Sequence, residues 1–449
     1  MIKKYSSYLL VMTSAVLYAL AFIYSQWLWW LVFIYAIPLL YAACMFKLTA
    51  WHGFVWGLIF FSMQCVGLVF SLYRMATGSW YMCIAPGIFF IVYMALYPMV
   101  LFALLKSVMR FIDYSHVTTL VLWVCGLCLM TSIIDRYCFI ALGTSQGYSF
   151  MNSLMPLAIC PQLLRLVPHV GVELMMGALL TVAATVAAYM IYRSLMSVWC
   201  VLLALLPWVL ALCMPVQQSP SPAWLSHIAV LPIAYSAYGD GCTAAQSLLD
   251  DLCAMIDHHP LVDIVIMPES ALPGSLISQL CRCTWPTACT HMQLIAGSNC
   301  WVGTHYSNCA IWAVASGQKG CFAKRRLVPP IEYMPCWCYG LASLYVTGSQ
   351  SLVSSDNDRP CFKLDGTVRL VPYICSELFL TVMPDDTYTQ VPIVVLVNDA
   401  WCMADYLVQC LFLCARFKAI AWQREMIYAS YYHAAWLNKT GDVTCLIRA

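Results

Sequence analysis

Seven apolar runs of about 20 residues fill residues 1–215, each long enough to cross the hydrocarbon core of a bilayer. They lie at roughly 7–24, 28–46, 51–72, 82–105, 117–134, 170–192 and 196–214. These 215 residues hold nine Lys or Arg and three Asp or Glu, while the other 30 charged side chains follow residue 215. Such a step separates a membrane half (1–215) from a water-facing half (226–449), joined by a linker at 216–225 that overlaps the Pro-, Ser- and Gln-rich stretch "PVQQSPSPAW" (215–224). The first run is followed too closely by "WLWWLVFIYAIPLL" to be a cleaved signal peptide, so a retained helix is expected. Residues 135–169 hold three prolines and read as a re-entrant or interfacial segment, not an eighth span.

Basic residues set the expected orientation. With the N-terminus inside, Lys3, Lys4, Lys47, Lys106, Arg110 and Arg193 are internal, and Arg74, Arg136 and Arg165 are external. The bias favours the inside N-terminus and places the second half on the outer face. A net charge of +2 without a basic cluster argues against nucleic acid as a partner. Of 25 cysteines, 16 lie in the second half, where an oxidising compartment would pair some, in a pattern that spacing does not reveal. Cys281/Cys283 and Cys336/Cys338 are C-x-C pairs without C-x2-C partners, and Cys125/Cys128 lie inside a predicted span. No metal or organic cofactor is expected.

In the second half, strands are predicted at 227–235, 262–268, "QLIAG", "NCAIWAVA", 368–375 and 393–401. Helices are predicted at 243–258 and 404–424, with a hairpin near 426–447. Nearly continuous apolar strands between helices imply sheets covered on both faces. Three strand ends then carry chemistry: "IVIMPES" delivers Glu269, "CFAKRRLVPP" delivers Lys324 and "LVPYICSE" delivers Cys375. In α/β sheets such ends are where ligands bind. A thiol nucleophile, a carboxylate base and a fixed cation suffice for acyl transfer through a thioester. Singly, each has a plainer reading: a strand-end carboxylate, one of three consecutive basic residues, and one thiol of 25.

Their joint order is more specific. "IMPESALPG" (266–274), "AKRRLVPPIEYMP" (323–335) and "VPYICSELFL" (371–380) resemble the three catalytic blocks of nitrilase-type carbon–nitrogen hydrolases. More narrowly they resemble the membrane-bound branch, the apolipoprotein N-acyltransferases. "VNDAW" (397–401) is similar to a fourth block, and "GYSFMNSLMPLA" with "VGVELM" to the family's Gly-Tyr-Ser segment and following helix. The resemblance implies about seven transmembrane helices followed by an α-β-β-α nitrilase-like sandwich. It makes Glu269 the general base, Lys324 the oxyanion stabiliser, Cys375 the nucleophile and Glu332 a supporting acid, with Glu377, Tyr333 and Trp401 as substrate-binding or structural residues. The implied reaction moves an acyl chain from a phospholipid to the cysteine, then to the N-terminal amine of an exported diacylated lipoprotein. It implies a monomer in a bacterial inner membrane with its catalytic domain on the periplasmic face, and "CWCYGLASLYV" (336–346) as a lid at the lipid interface.

Several positions depart from the family pattern. Ser376 replaces an aromatic residue, Pro330 and Ile331 replace Phe-Gly, Cys402 replaces a glycine, and "YASYYH" (428–433) replaces R-x-T-N-T-G while Arg416 and Arg424 are kept. No final membrane span follows "LIRA". These features also resemble the nitrilase-like proteins encoded with conjugal-transfer systems, which implies a divergent paralogue with another acceptor. A membrane-anchored amidase, with water resolving the thioester, is the alternative enzymatic reading. A non-catalytic component of a secretion or conjugation apparatus is the third.

Overall fold

Each apolar run becomes helix because residues such as Leu, Met and Ala favour it, and because a chain in lipid must satisfy its backbone polar groups internally. The structure, a computed structural model, describes residues 2–75, 80–111, 115–138, 152–215, 221–233, 241–273, 276, 286–302, 305–327, 361–364, 368–379 and 391–448. Seven helical stretches among them are long and apolar enough to cross a membrane: Tyr5–Ile23, Ser25–Met45, Ala50–Ser71, Gly87–Val108, His116–Tyr137, Val172–Tyr192 and Leu195–Cys213. They match the seven predicted runs closely.

The second stretch is not one helix. A 3-10 turn at Trp29–Phe33 divides Ser25–Leu28 from Ala36–Met45. Pro38 falls in the first turn of the restarted helix, where its missing N–H has no intrahelical partner to lose. Gly53 and Gly57 let the Ala50–Met75 helix approach the Trp80–Val108 helix: a Cβ at Gly53 would lie 2.3 Å from the Pro98 carbonyl oxygen, and one at Gly57 2.7 Å from Ala95 Cα. This is the close, small-residue packing favoured between helices in lipid.

In the expected re-entrant segment, each of the three prolines starts a short turn: Met155–Ile159, Pro161–Leu164 and Val167–Val170. Most of this backbone is buried in protein, the condition under which irregular structure is tolerated at membrane depth. The hydroxyls of Tyr18 and Tyr35 both reach Ser153 Oγ, at 2.8 and 3.2 Å. By contacts the first unit comprises the described residues of Met1–Cys138, Gly147–Val216 and Trp401–Ala421. The helix expected at 404–424 forms as Asp405–Trp422 and is thus grouped mainly with the membrane helices. Its Tyr406 hydroxyl accepts from Gly67 N at 2.9 Å and donates to the Gln64 carbonyl at 2.7 Å.

The second unit, formed by the described residues of Gln217–Ala400 and Trp422–Ala449, is a sandwich of two six-stranded sheets. The first sheet is ordered β12 (Ile447–Arg448), β1 (Ile228–Val230), β2 (Ile264–Pro273), β3 (Gln293–Val302), β4 (His305–Val314), β5 (Gly317–Ala323). The second is ordered β11 (Val443–Cys445), β10 (Ala434–Leu437), β9 (Met426–Ala429), β8 (Ile393–Leu396), β7 (Val368–Ile374), β6 (Phe362–Leu364). β12, β1, β2 and β3 pair in parallel, as do β7, β8 and β9; the remaining pairings are antiparallel.

Alternate residues build two cores. Ile228, Val230, Ile264, Ile266 and Ile295 meet Leu370, Ile374, Val394, Leu396 and Ile427 between the sheets. Ala229, Val265, Met267 and Leu294 point the other way, against Leu248, Leu249 and Leu252 of the helix Gly241–His258. On the second sheet's outer face Tyr373, Val395 and Tyr428 are buried, and the Trp422 ring tilts over Tyr373 with centroids 6.0 Å apart. Apolar residues on both faces of each central strand explain the continuous runs in the sequence.

One glycine in β3 sets how β2 passes it. The β2–β3 register shifts between Met267 and Leu272, and the shift brings β2 backbone onto Gly297. A Cβ there would lie 2.3 Å from Glu269 Cα and 2.5 Å from the Pro268 carbonyl oxygen. Gly297→Ala should therefore lower stability by about 1–3 kcal/mol. The denaturation midpoint of the full chain in detergent measures this; an unchanged midpoint would show that the strands part freely.

Candidate active site

Glu269 was expected just past the end of a strand; it lies instead inside β2, at that register shift. A bulge re-aims side chains, and the next residue, Ser270, adopts φ +57°, a left-handed conformation unfavourable for a side-chain-bearing residue. Lys324 is the first residue after β5. Cys375 directly follows β7 and opens the 3-10 turn Cys375–Phe379, itself at φ +41°. Strained backbone at both Ser270 and Cys375 is a pattern concentrated at functional sites.

The carboxylate of Glu269 is fixed from three directions. Its Oε1 accepts from Lys324 Nζ at 2.9 Å and from Asn308 Nδ2 at 2.6 Å, and its Oε2 accepts from the Asn398 backbone N–H at 3.1 Å. Glu269 and Lys324 are 5% and 1% exposed, so this ion pair is desolvated. Asn308 also fixes the lysine, because its carbonyl accepts from Lys324 N at 2.7 Å. Among the described residues Oε1 carries two donors and Oε2 one, leaving Oε2 the better placed to accept a proton.

The Cys375 turn is tied to the Lys324 segment by two further bonds. Glu377, fully buried, accepts from Arg325 N through Oε1 (3.0 Å) and from Ile374 N through Oε2 (2.9 Å). Ser376 Oγ donates to the Arg326 carbonyl at 2.8 Å. The two residues after Lys324 are thus bonded to the two residues after Cys375. Buried Ser376, placed where the family has an aromatic ring, makes one of these ties. Cys375 is half-buried and packs against the inter-sheet core.

Behind Glu269 stands a second polar group of residues that sequence reasoning did not assign to the site. β8 ends at Leu396, short of the predicted 401, because Asn398 and Asp399 bond away from the sheet. Asp399 Oδ1 accepts from Tyr431 N at 2.9 Å, and the Tyr431 hydroxyl points at the Glu269 carbonyl at 3.5 Å. The Arg448 guanidinium donates to the carbonyls of Tyr431 (2.6 Å) and Tyr432 (3.2 Å). Burial pushes the Asp399 carboxyl above its ordinary range, against the opposing pull of its hydrogen bonds. Burial also pushes the Tyr431 hydroxyl up, reinforced by the charges of Glu269 and Asp399. The available signals were polar residues interrupting apolar runs: Asn308 at the head of "NCAIWAVA" and the Asn-Asp pair in "VVLVNDAW".

Of the other expected site residues, Trp401 is described. Trp401 is half-buried in the turn beyond β8, among residues grouped with the first unit. Glu332, Tyr333, the 336–346 segment and the two C-x-C pairs lie outside the described residues. Among the described residues, no three His, Cys, Asp or Glu side chains cluster as a metal site.

No protein-family model and no curated protein matches the chain. Solved structures do. One is a glutamine-dependent NAD+ synthetase from Acinetobacter baumannii, at 13% identity and TM-score 0.33, with 45% of this chain and 39% of that chain covered. A carbon-nitrogen hydrolase from Helicobacter pylori G27 matches at 14% identity and TM-score 0.32 over 49% and 85%. Saccharomyces cerevisiae Nit3, a member of branch 10 of the nitrilase superfamily, matches at 12% identity and TM-score 0.30 over 48% and 82%. Carbon–nitrogen hydrolase superfamily proteins are thus among the structural neighbours. The aligned part of this chain spans 39% of the synthetase's length.

Two outcomes follow from the buried charges. Lys324→Met should destabilise the chain by about 3–5 kcal/mol by leaving Glu269 buried without its cation, whereas Glu269→Gln with Lys324→Met should recover most of that loss. Denaturation midpoints of the two variants against the parent check this. Asp399→Asn should raise thermal stability at neutral pH. The folded state holds Asp399's proton more tightly than the unfolded chain, so its ionisation disfavours folding above the ordinary carboxylate range. The gain should fade as pH falls below about 4, where the unfolded carboxyl is protonated too. Melting curves at pH 3.5 and 7.5 measure it.

Proposed function

We propose that the chain is a membrane-bound acyltransferase that carries a fatty acyl group from a phospholipid, as a thioester on Cys375, to the N-terminal amine of an exported diacylated lipoprotein. The observation that supports this most is the desolvated Glu269–Lys324 pair, with Lys324's segment bonded to the Cys375 turn, in a chain with seven membrane-length helices. The helices keep the enzyme where both lipid substrates reside.

In this reading Glu269 Oε2 takes the proton from Cys375 Sγ, and the thiolate attacks the phospholipid ester carbonyl. Lys324 Nζ stabilises the oxyanion, an effect worth about 3–4 kcal/mol for a comparable donor. Collapse breaks the bond to the glycerol oxygen, which takes the proton from Glu269 and leaves as lysophospholipid. The acceptor amine then attacks the thioester, Glu269 takes its proton, and Cys375 leaves as thiolate and is reprotonated. We place the α/β unit on the outer face of a bacterial cytoplasmic membrane, acting as a monomer.

Intact mass measurement after incubation with phospholipid tests the proposal. The parent chain should gain an acyl mass, Cys375→Ser none, and Glu269→Gln should slow acylation by about 10²–10⁴-fold. The adduct should clear on adding a diacylated lipopeptide. Rapid clearance in water alone would indicate the amidase, persistence with the peptide a different acceptor, and no adduct with any phospholipid would overturn the reading.

A further inference from the structure

The cysteines outside the active site include one pair at bonding approach. Cys253, half-buried, lies in the helix Gly241–His258, and Cys289, fully buried, closes the 3-10 turn Thr287–Cys289. Their sulfur atoms are 2.8 Å apart. Packed thiols in an apolar core rest at non-bonded separation, and this pair is well inside it, so a bond of about 2.05 Å needs only a small side-chain rotation. Both cysteines sit on fixed backbone. The helix packs Leu248, Leu249 and Leu252 into the outer core, and the turn is closed by Cys289 N to the Pro286 carbonyl (2.8 Å) and Met292 N to the Cys289 carbonyl (3.0 Å).

We propose that Cys253 and Cys289 form a disulfide bond when the folded chain meets an oxidising compartment. The bond would join the covering helix of the first sheet to the turn leading into β3, the strand that carries Gly297. It would lie in the outer core, on the opposite side of the first sheet from the inter-sheet core against which Cys375 packs. The cross-link therefore does not involve Cys375.

The oxidant is another disulfide, such as that of oxidised glutathione or a thiol–disulfide exchange protein. Cys253, the more accessible thiol, attacks it as thiolate and releases one reduced thiol. Cys289 then attacks Cys253 Sγ as thiolate and releases the second. The protein gives up two protons and two electrons, and the oxidant's disulfide becomes two thiols. Burial holds the Cys289 thiol high, with the Cys253 contact adding to it, so the second step should quicken as pH rises.

The test uses the full chain in detergent, purified without reductant and then treated with oxidised glutathione. Free thiols are alkylated in denaturant, the chain is digested with pepsin, and bridged peptides are assigned by fragmentation. A reductant-sensitive peptide joining Cys253 to Cys289, absent in Cys253→Ser and in Cys289→Ser, is the expected result. The parent's Tm should also fall by roughly 5–15 °C on reduction, and that of the double serine variant should not move. Alkylation of both cysteines after glutathione treatment, or a bridge from either to a third cysteine, would overturn the proposal.

Discussion

The second unit is organised around a buried charge pair. Glu269 and Lys324 are almost fully withdrawn from water, and neither would be tolerated there without the other. The pair also demands satisfied neighbours. Asn308 supplies a side-chain donor to the carboxylate and a backbone acceptor to the lysine's own N–H, and Asn398 donates its N–H. Four segments, from β2, β4, the end of β5 and the end of β8, are thereby fixed to one another. Replacing the pair with apolar residues would remove a desolvation cost, so stability alone gives no reason to keep it; the proposed thioester chemistry would.

Local strain fits the same account. Ser270 and Cys375 hold left-handed backbone without being glycine, at roughly 1–3 kcal/mol each. What over-determines Cys375 is the inter-sheet core on one side and the ties of Ser376 and Glu377 on the other. Asp399 adds a third unfavourable feature, a carboxyl whose burial outweighs its hydrogen bonds, directly after the Asn398 that supports Glu269. Costs gathered around one carboxylate, in a unit otherwise built from well-packed aliphatic strands, are what a chemical site looks like when foldability and function conflict.

Much of this was legible in the residues. Continuous apolar runs announced both the spanning helices and the doubly covered strands, since each periodicity follows from what the element must bury. Lys324 and Cys375 directly follow strands, and such ends are marked by a change from apolar to polar sequence. Glu269 was read as lying beyond its strand because a bulge preserves pairing after a register shift, and "PESALP" carries no local sign of it. The break at Trp29–Phe33 was hidden for a related reason: hydropathy measures transfer to lipid, not helical continuity. β11 and β12 went unseen because two- and three-residue strands have no period to detect.

The ties around Tyr431 show why the departures from the family pattern are not simply losses. The segment "YASYYH" supplies Tyr431, whose N–H is held by Asp399 and whose hydroxyl faces the backbone of Glu269. Arg448 in β12 clasps the same turn through two carbonyls, and β12 in turn pairs with β1, two strands from Gly297. These hydrogen bonds converge on Glu269 and its neighbour Asp399. In the proposed acyl transfer, the donors that position Glu269 bear on its proton transfer whatever the acceptor.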